Sequence, residues 1–283
     1  MERAPFPWYG GKSYIAKAIA SLFPRHHTYV EVFGGAASVL FAKRPSPVEV
    51  YNDIDSGIVN FFRVLRDPDK ADRLQTLLYL TPWSREEFYR CRDEWQLQDD
   101  PIERARMWFV VACQSFSGTF GESWSFSVSS SSRGMVEQCS KWLSRIDLLP
   151  YFCARLQMVQ IENRDFRELV PMYDTADTLF YLDPPYVQST RTAHNDGYVH
   201  DMYDDDHADL VELLLSVKGM CVLSGYQNDL YAPLEESGWT RIELPQHLRS
   251  AKKRLGDSRD MRTECVWLSP NTTSRRPRQL KFV

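Results

Sequence analysis

The chain has 283 residues, enough to bury a full core, with apolar, charged and glycine contents ordinary for a globular protein. No apolar run reaches the length of a membrane span, and Met1-Glu2-Arg3-Ala4-Pro5 lacks the apolar core of an export signal, so a chain without a membrane helix is expected. The net charge of −4 excludes a surface coated in basic residues, although Arg241 to Val283 carries eleven Lys or Arg against four acids, the footprint of nucleic-acid contact.

Residues 5 to 12, Pro-Phe-Pro-Trp-Tyr-Gly-Gly-Lys, form a Gly-rich turn, with Ser13 the expected cap of a helix from Tyr14 to Leu22. Thr28 to Phe33 reads as a strand, Gly34 to Ala37 as a turn and Ser38 to Lys43 as a helix. Val48 to Tyr51 is a second strand ending in Asn52-Asp53-Ile54-Asp55, and Ser56 is the expected cap of a helix to about Leu65. Alternating strands and helices mark a parallel sheet. From Pro68 to Leu156 the sequence turns polar, rich in Arg and Trp, and mainly helical in period, as in Arg85 to Glu94 and Ile102 to Ser115. A loop, Phe116 to Gly121, and a serine run, Ser129 to Ser132, interrupt it, and the serine run is expected to be flexible. Strands resume at Met158 to Ile161, Thr178 to Leu182, Cys221 to Ser224, Thr240 to Leu244 and Thr263 to Leu268. The expected fold is an α/β domain, residues 1–67 and 157–283, interrupted by a mostly helical insertion, residues 68–156.

Three strand ends carry chemistry. The first is Glu31-Val32-Phe33-Gly34-Gly35-Ala36, with Asp53 at the tip of the next strand. A glycine turn lets a ligand approach the backbone, and the acid can take both hydroxyls of a ribose. The stretch lacks the full Gly-x-Gly-x-x-Gly and any basic phosphate cradle, so it suits a nucleoside without phosphate better than a dinucleotide. Two ordinary strand-to-helix turns fit the same residues. The second is Asn163-Arg164-Asp165-Phe166, where the carboxylate could accept from an adenine amino group or simply cap a helix. The third is Leu182-Asp183-Pro184-Pro185-Tyr186, a buried strand stopped by two prolines. It holds a carboxylate, a rigid backbone acceptor and an aromatic face around one small planar group. An adenine amino nitrogen is a poor nucleophile because its lone pair is delocalised. Accepting its two hydrogens on Asp183 and the Pro184 carbonyl aims that pair at a methyl group. The reaction needs no metal, and the six cysteines show neither Cys-x-x-Cys nor zinc spacing.

The order Trp8-Tyr9-Gly10-Gly11-Lys12, Tyr29 to Ala36, Asn52-Asp53-Ile54-Asp55, Arg164-Asp165-Phe166 and Asp183-Pro184-Pro185-Tyr186 resembles the Dam-type (D12 class) DNA adenine-N6 methyltransferases. The resemblance spans nearly the whole chain. It implies a class I (Rossmann-like) methyltransferase fold with S-adenosylmethionine as donor and DNA, duplex and with its target base flipped, as partner. It assigns cofactor binding to Trp8, Gly10, Gly11, Lys12, Glu31, Phe33, Gly34, Asp53, Ile54, Asp165, Phe166 and Asp183, and catalysis to Asp183, Pro184, Pro185 and Tyr186. It makes 68–156 the target reader and the cytoplasm of a bacterial or phage-infected cell the expected location. The loop Phe116 to Ser127 lacks the Asn and Pro of members that read GATC, which leaves the recognition site open, as are oligomeric state and any restriction partner. Trp83, Trp95, Trp108 and Trp142 read as helix-core residues, Trp124 as a DNA contact, and Arg249, Lys252, Lys253 and Arg254 as phosphate contacts. The loop between Tyr186 and Tyr203 reads as a lid over the target base. An RNA adenine-N6 methyltransferase and a non-catalytic DNA-binding or antirestriction protein are the competing readings.

Overall fold

A computed structural model describes residues 4–190, 200–244 and 263–275. The strands are β1 (Thr28–Glu31), β2 (Val48–Asn52), β3 (Gln160–Glu162), β4 (Thr178–Leu182), β5 (Met220–Tyr226), β6 (Thr240–Glu243) and β7 (Glu264–Leu268). They form one sheet in the order β3-β2-β1-β4-β5-β7-β6, in which only β7 runs antiparallel to its neighbours. β4 and β7 are buried along their whole length, as strands covered on both faces must be.

Alternation sends Tyr29, Tyr51, Tyr181 and Val222 to one core and Val30, Val50, Phe180 and Leu223 to the other. The second core is closed by α8 (Phe166–Tyr173), α9 (Asp204–Ser216) and α10 (Ala232–Glu236). The first is closed by α1 (Ala16–Ala20), α2 (Ser38–Ala42) and α3 (Ser56–Arg66). The helices that follow, α4 (Pro68–Tyr79), α5 (Arg85–Glu94), α6 (Pro101–Gln114) and α7 (Glu137–Leu156), share that first core rather than forming one of their own. Helix α6 is buried from Ala105 to Gln114, as expected of a helix apolar on nearly every side. Phe109 of α6 stacks on Phe61 of α3 at 5.1 Å. A Cβ on Gly57 of α3 would lie 2.6 Å from the Trp108 ring and 2.8 Å from that of Trp95, so the two layers meet with no space to spare.

Three local expectations change. Ser13 caps nothing: its hydroxyl lies 3.1 Å from that of Ser38, and a turn on the Lys12 carbonyl delays α1 to Ala16. Asp55, not Ser56, caps α3, because its carboxylate reaches the amides of Gly57 and Ile58. The serine run is ordered at Ser131–Ser132, which pairs with Met135–Val136 through Arg133 and Gly134, both at positive φ. The Arg133 guanidinium then ties this hairpin to Ser140 and Ser144 of α7.

Substituting Gly57→Ala forces Trp108 or Trp95 from place, and overpacking of this kind costs about 1–3 kcal/mol. Urea unfolding is expected to show that loss as one cooperative transition, since the helices of 68–156 and the sheet share a core.

Candidate active site

Strand order reverses at β1, which pairs with β2 on one side and β4 on the other, so the crevice of the sheet opens at their carboxyl ends. A cleft partly open to solvent lies there. Trp8, Gly10, Gly11 and Lys12 line it from the N-terminal turn, Glu31, Phe33 and Gly34 from the end of β1, Asp53 and Ile54 from β2, and Asp183 and Pro185 from β4.

The turn after β1 is shaped by contact with its neighbours. A Cβ on Gly34 would fall 2.1 Å from the Tyr51 ring, and one on Gly35 2.8 Å from the Trp8 indole. The Gly35 amide donates to Asp53 Oδ2 (2.7 Å) and the Asp55 amide to Asp53 Oδ1 (2.8 Å). Burial nevertheless raises the Asp53 acid to about 6. Glu31 is buried beneath the cleft and accepts the Tyr29 hydroxyl (2.6 Å); burial dominates and pushes its acid up to about 8. Two asparagines that stand in the strand-end motifs without an expected role hold the strand ends together. Asn52 donates to the carbonyls of Val32 and Arg164 and accepts the Arg164 amide, while Asn163 donates to the carbonyls of Asp53 and Ile54. Their signal was an amide side chain at a strand tip, which no single strand explains.

Asp183 is half-buried and pairs with Lys12 at 2.7 Å. Burial raises its acid and Lys12 opposes the rise. Lys12 also donates to the Gly10 carbonyl (2.9 Å) and sits 4.7 Å above the Tyr186 ring. The Tyr186 hydroxyl donates to Glu264, and its ring meets the edge of Tyr226 at 4.6 Å. Tyr186 is 8% exposed and, like Pro184, is not among the lining residues. Nor are Asp165 and Phe166. Asp165 caps α8 through the Arg167 amide and pairs with the Arg167 guanidinium, so its carboxylate is engaged by its own helix. Phe166 packs at 5.7 Å against Phe33 and supports that wall from behind. Glu264 and Tyr226 were not anticipated, because β5 and β7 carry no motif.

Residues 8–250 match the family model described as D12 class N6 adenine-specific DNA methyltransferase. The chain belongs to this family. It is 26% identical over 267 residues to the type II methyltransferase M.MjaIII of Methanocaldococcus jannaschii, covering 83% of this chain and 89% of that protein. It is 24% identical over 230 residues to the DNA adenine methylase of Vibrio cholerae serotype O1, covering 78% and 80%. Among solved structures, the rRNA methyltransferase aviRa of Streptomyces viridochromogenes aligns with a TM-score of 0.43 at 11% identity, over 97% of this chain and 91% of that one. The seven-stranded α/β sheet is that of the class I methyltransferases, and the substrate is adenine in DNA.

In this methyltransferase the loop after α6 is braced against the cleft. Phe120 lies 6.1 Å from Trp8 and 5.5 Å from Trp108. Trp124 bridges to Ser115, donates to Gln114 and stacks on Phe126 at 6.0 Å, with the Arg85 guanidinium over both rings. Trp95, Trp108 and Trp142 are core residues, and Trp83 is held through Ser125. Arg249, Lys252, Lys253 and Arg254 lie outside the described residues, as do positions 191–199 of the loop read as a lid. Among the described residues no group of His, Cys, Asp or Glu is arranged to hold a metal, and no helix is long and apolar enough to cross a membrane.

A carboxyl whose folded pKa exceeds its unfolded one stabilises the fold fully below the unfolded value and loses that contribution as pH rises to the folded value. For Glu31 the window runs from its ordinary 4.5 to about 8. Across it the ligand-free protein loses on the order of 1.4 kcal/mol for each pH unit. Glu31→Gln removes the ionisation, so thermal denaturation should find the variant more stable than the parent at pH 8, with the difference closing toward pH 5.

Proposed function

We propose that the methyl donor is S-adenosylmethionine, bound in the cleft between β1 and β2, and that the acceptor is an adenine turned out of duplex DNA beside Asp183. The observation that carries this reading is the position of Asp183 on the rim of the cleft that also contains Asp53. The chemistry of the lining fits the donor. Glu31, Asp53, Asp55 and Asp183 are set against Lys12, which favours a cationic nucleoside and disfavours a pyrophosphate. When bound, the donor supplies an electrophilic methyl carbon on a sulfonium.

The remaining work falls to side chains of this chain. Asp53, with two backbone amides already fixing its carboxylate, has lone pairs left for the ribose hydroxyls. Trp8, Phe33 and Ile54 form apolar walls, and Glu31 lies below them with a carboxyl whose ionisation a bound cation would favour. The Asp183 carboxylate and the Pro184 carbonyl accept the two amine hydrogens and hold the nitrogen for in-line attack. Tyr186 forms the aromatic floor of the acceptor site. Since the amine is neutral and becomes positive as it gains the methyl group, an anion at Asp183 lowers the barrier and is the nearest acceptor for the departing proton. A base stacked in a duplex cannot reach this site, so extrusion is part of the reaction. The helices of 68–156, with the Trp124–Phe126–Arg85 stack, read the flanking DNA, and Arg249, Lys252, Lys253 and Arg254 neutralise phosphates. The enzyme works in the cytoplasm with its thiols reduced.

Asp183→Ala should keep the circular dichroism spectrum while tritiated-methyl transfer at saturating cofactor falls by about 10²-fold or more. An active variant would refute the mechanism. Asp53→Ala should instead weaken cofactor binding about 10- to 100-fold by titration calorimetry, the loss of hydrogen bonds to a charged group. Rates on duplex DNA, single-stranded DNA and RNA measured side by side should be highest on the duplex.

A further inference from the structure

Glu264 opens β7, sits in none of the strand-end motifs, and is 7% exposed. It accepts the Tyr186 hydroxyl, and its Oε1 lies 3.9 Å from Lys12 Nζ. Lys12, 4% exposed, thus has a carboxylate on either side: Asp183 in direct contact and Glu264 just beyond.

With Lys12 on Asp183, the acceptor geometry is incomplete. The ammonium lies 2.7 Å from Asp183 Oδ1 and so competes with an incoming amine for the carboxylate. It also places positive charge where more positive charge develops as the nitrogen takes up the methyl group. A buried ammonium cannot simply withdraw, because an uncompensated charge in the interior is costly. Glu264 offers the compensation nearby. A shift of about 1 Å brings Nζ from 3.9 Å to hydrogen-bond contact with Oε1. The Tyr186 ring, 4.7 Å from Nζ, favours a cation over its face. The Tyr186 hydroxyl donates to Glu264 Oε1, the same oxygen that faces Lys12.

We propose that Lys12 is a movable counter-ion shared between Asp183 and Glu264, and that Glu264 is a positioning residue that draws Lys12 away when the target amine arrives. The proposal rests on the reading of Asp183 as the amine acceptor. Before the base enters, the Lys12–Asp183 pair favours the ionised acid against its desolvation. After it enters, the amine replaces Lys12 on Asp183, and the Lys12–Glu264 pair keeps the charge balanced.

Glu264→Gln separates this role from simple support of Tyr186, since a glutamine still accepts the tyrosine hydroxyl but carries no charge. Single-turnover methyl transfer by Glu264→Gln should slow at least tenfold, while dissociation constants for cofactor and duplex stay within threefold of the parent. Tyr186→Phe, which keeps the Glu264 charge and loses the hydroxyl, should slow transfer less than Glu264→Gln does. A Glu264→Gln enzyme within twofold of the parent, or slower only in step with weaker binding, would overturn the proposal. If the substitution prevents folding, the unaltered enzyme decides. Crystallised with S-adenosylhomocysteine and a duplex bearing its target adenine, it should show Lys12 Nζ in contact with Glu264 and the amine on Asp183. Lys12 still on Asp183 in that complex would overturn the proposal. A parent enzyme that transfers no methyl group to adenine, or an active Asp183→Ala, would remove the acceptor reading first and this proposal with it.

Discussion

The register of three parallel strands is the constraint on which the site depends. Glu31 stands opposite Tyr51 of β2 on one side and opposite Tyr181 of β4 on the other. Asp53 and Asp183 each lie two residues beyond those partners, so they flank the end of β1 at the same level. Neighbouring strands are about 4.8 Å apart, which leaves about two strand spacings between the two acids. A slip of one residue in either ladder would carry an acid to the opposite face of the sheet. The turn between them must stay thin, and Gly34 against Tyr51 keeps it so.

Burial of like charges is the second organising feature. Glu31, Asp53, Asp183 and Glu264 are all shifted upward, with desolvation the leading cause in each case. In the free protein this is a strain on stability that rises with pH. In the proposed complex Glu31, Asp53 and Asp183, which line the cleft, meet a cation, and part of the binding energy is the relief of that strain. Lys12 stands among them as the buried base in contact with Asp183, which makes its position relative to Asp183 and Glu264 the pivot of the local electrostatics.

The helices of 68–156 enter the argument through the core. Trp108 and Trp95 against Gly57, and Phe109 on Phe61, weld them to the layer that covers the sheet. Phe120 rests between Trp8 of the cleft wall and Trp108 of α6. The loop proposed to meet DNA is therefore mechanically continuous with the wall proposed to meet the cofactor. A ridge contributing both surfaces suits an enzyme that must bring two large ligands to one atom.

Much of this was legible in the sequence because the signals were local. Apolar runs stopped by Gly-Gly, by Asn-Asp or by Pro-Pro mark strand ends from their own turn chemistry, so the cleft residues Gly34, Asp53 and Asp183 could be named from the chain alone, as could the alternation that makes a parallel sheet. The cap of α3 and the order in the serine run depended on which of two adjacent polar residues reached an amide, a choice too fine for pattern. Asp165 reads equally well as a ligand or a cap until its helix forms and Arg167 takes it. Only the tertiary structure decided that Lys12 meets Asp183, that Glu264 and Tyr226 from β5 and β7 surround Tyr186, and that Asn52 and Asn163 tie the strand ends together. Those contacts depend on which strands become neighbours and at what register. That ordering belongs to the packed sheet as a whole, and no stretch of sequence contains it.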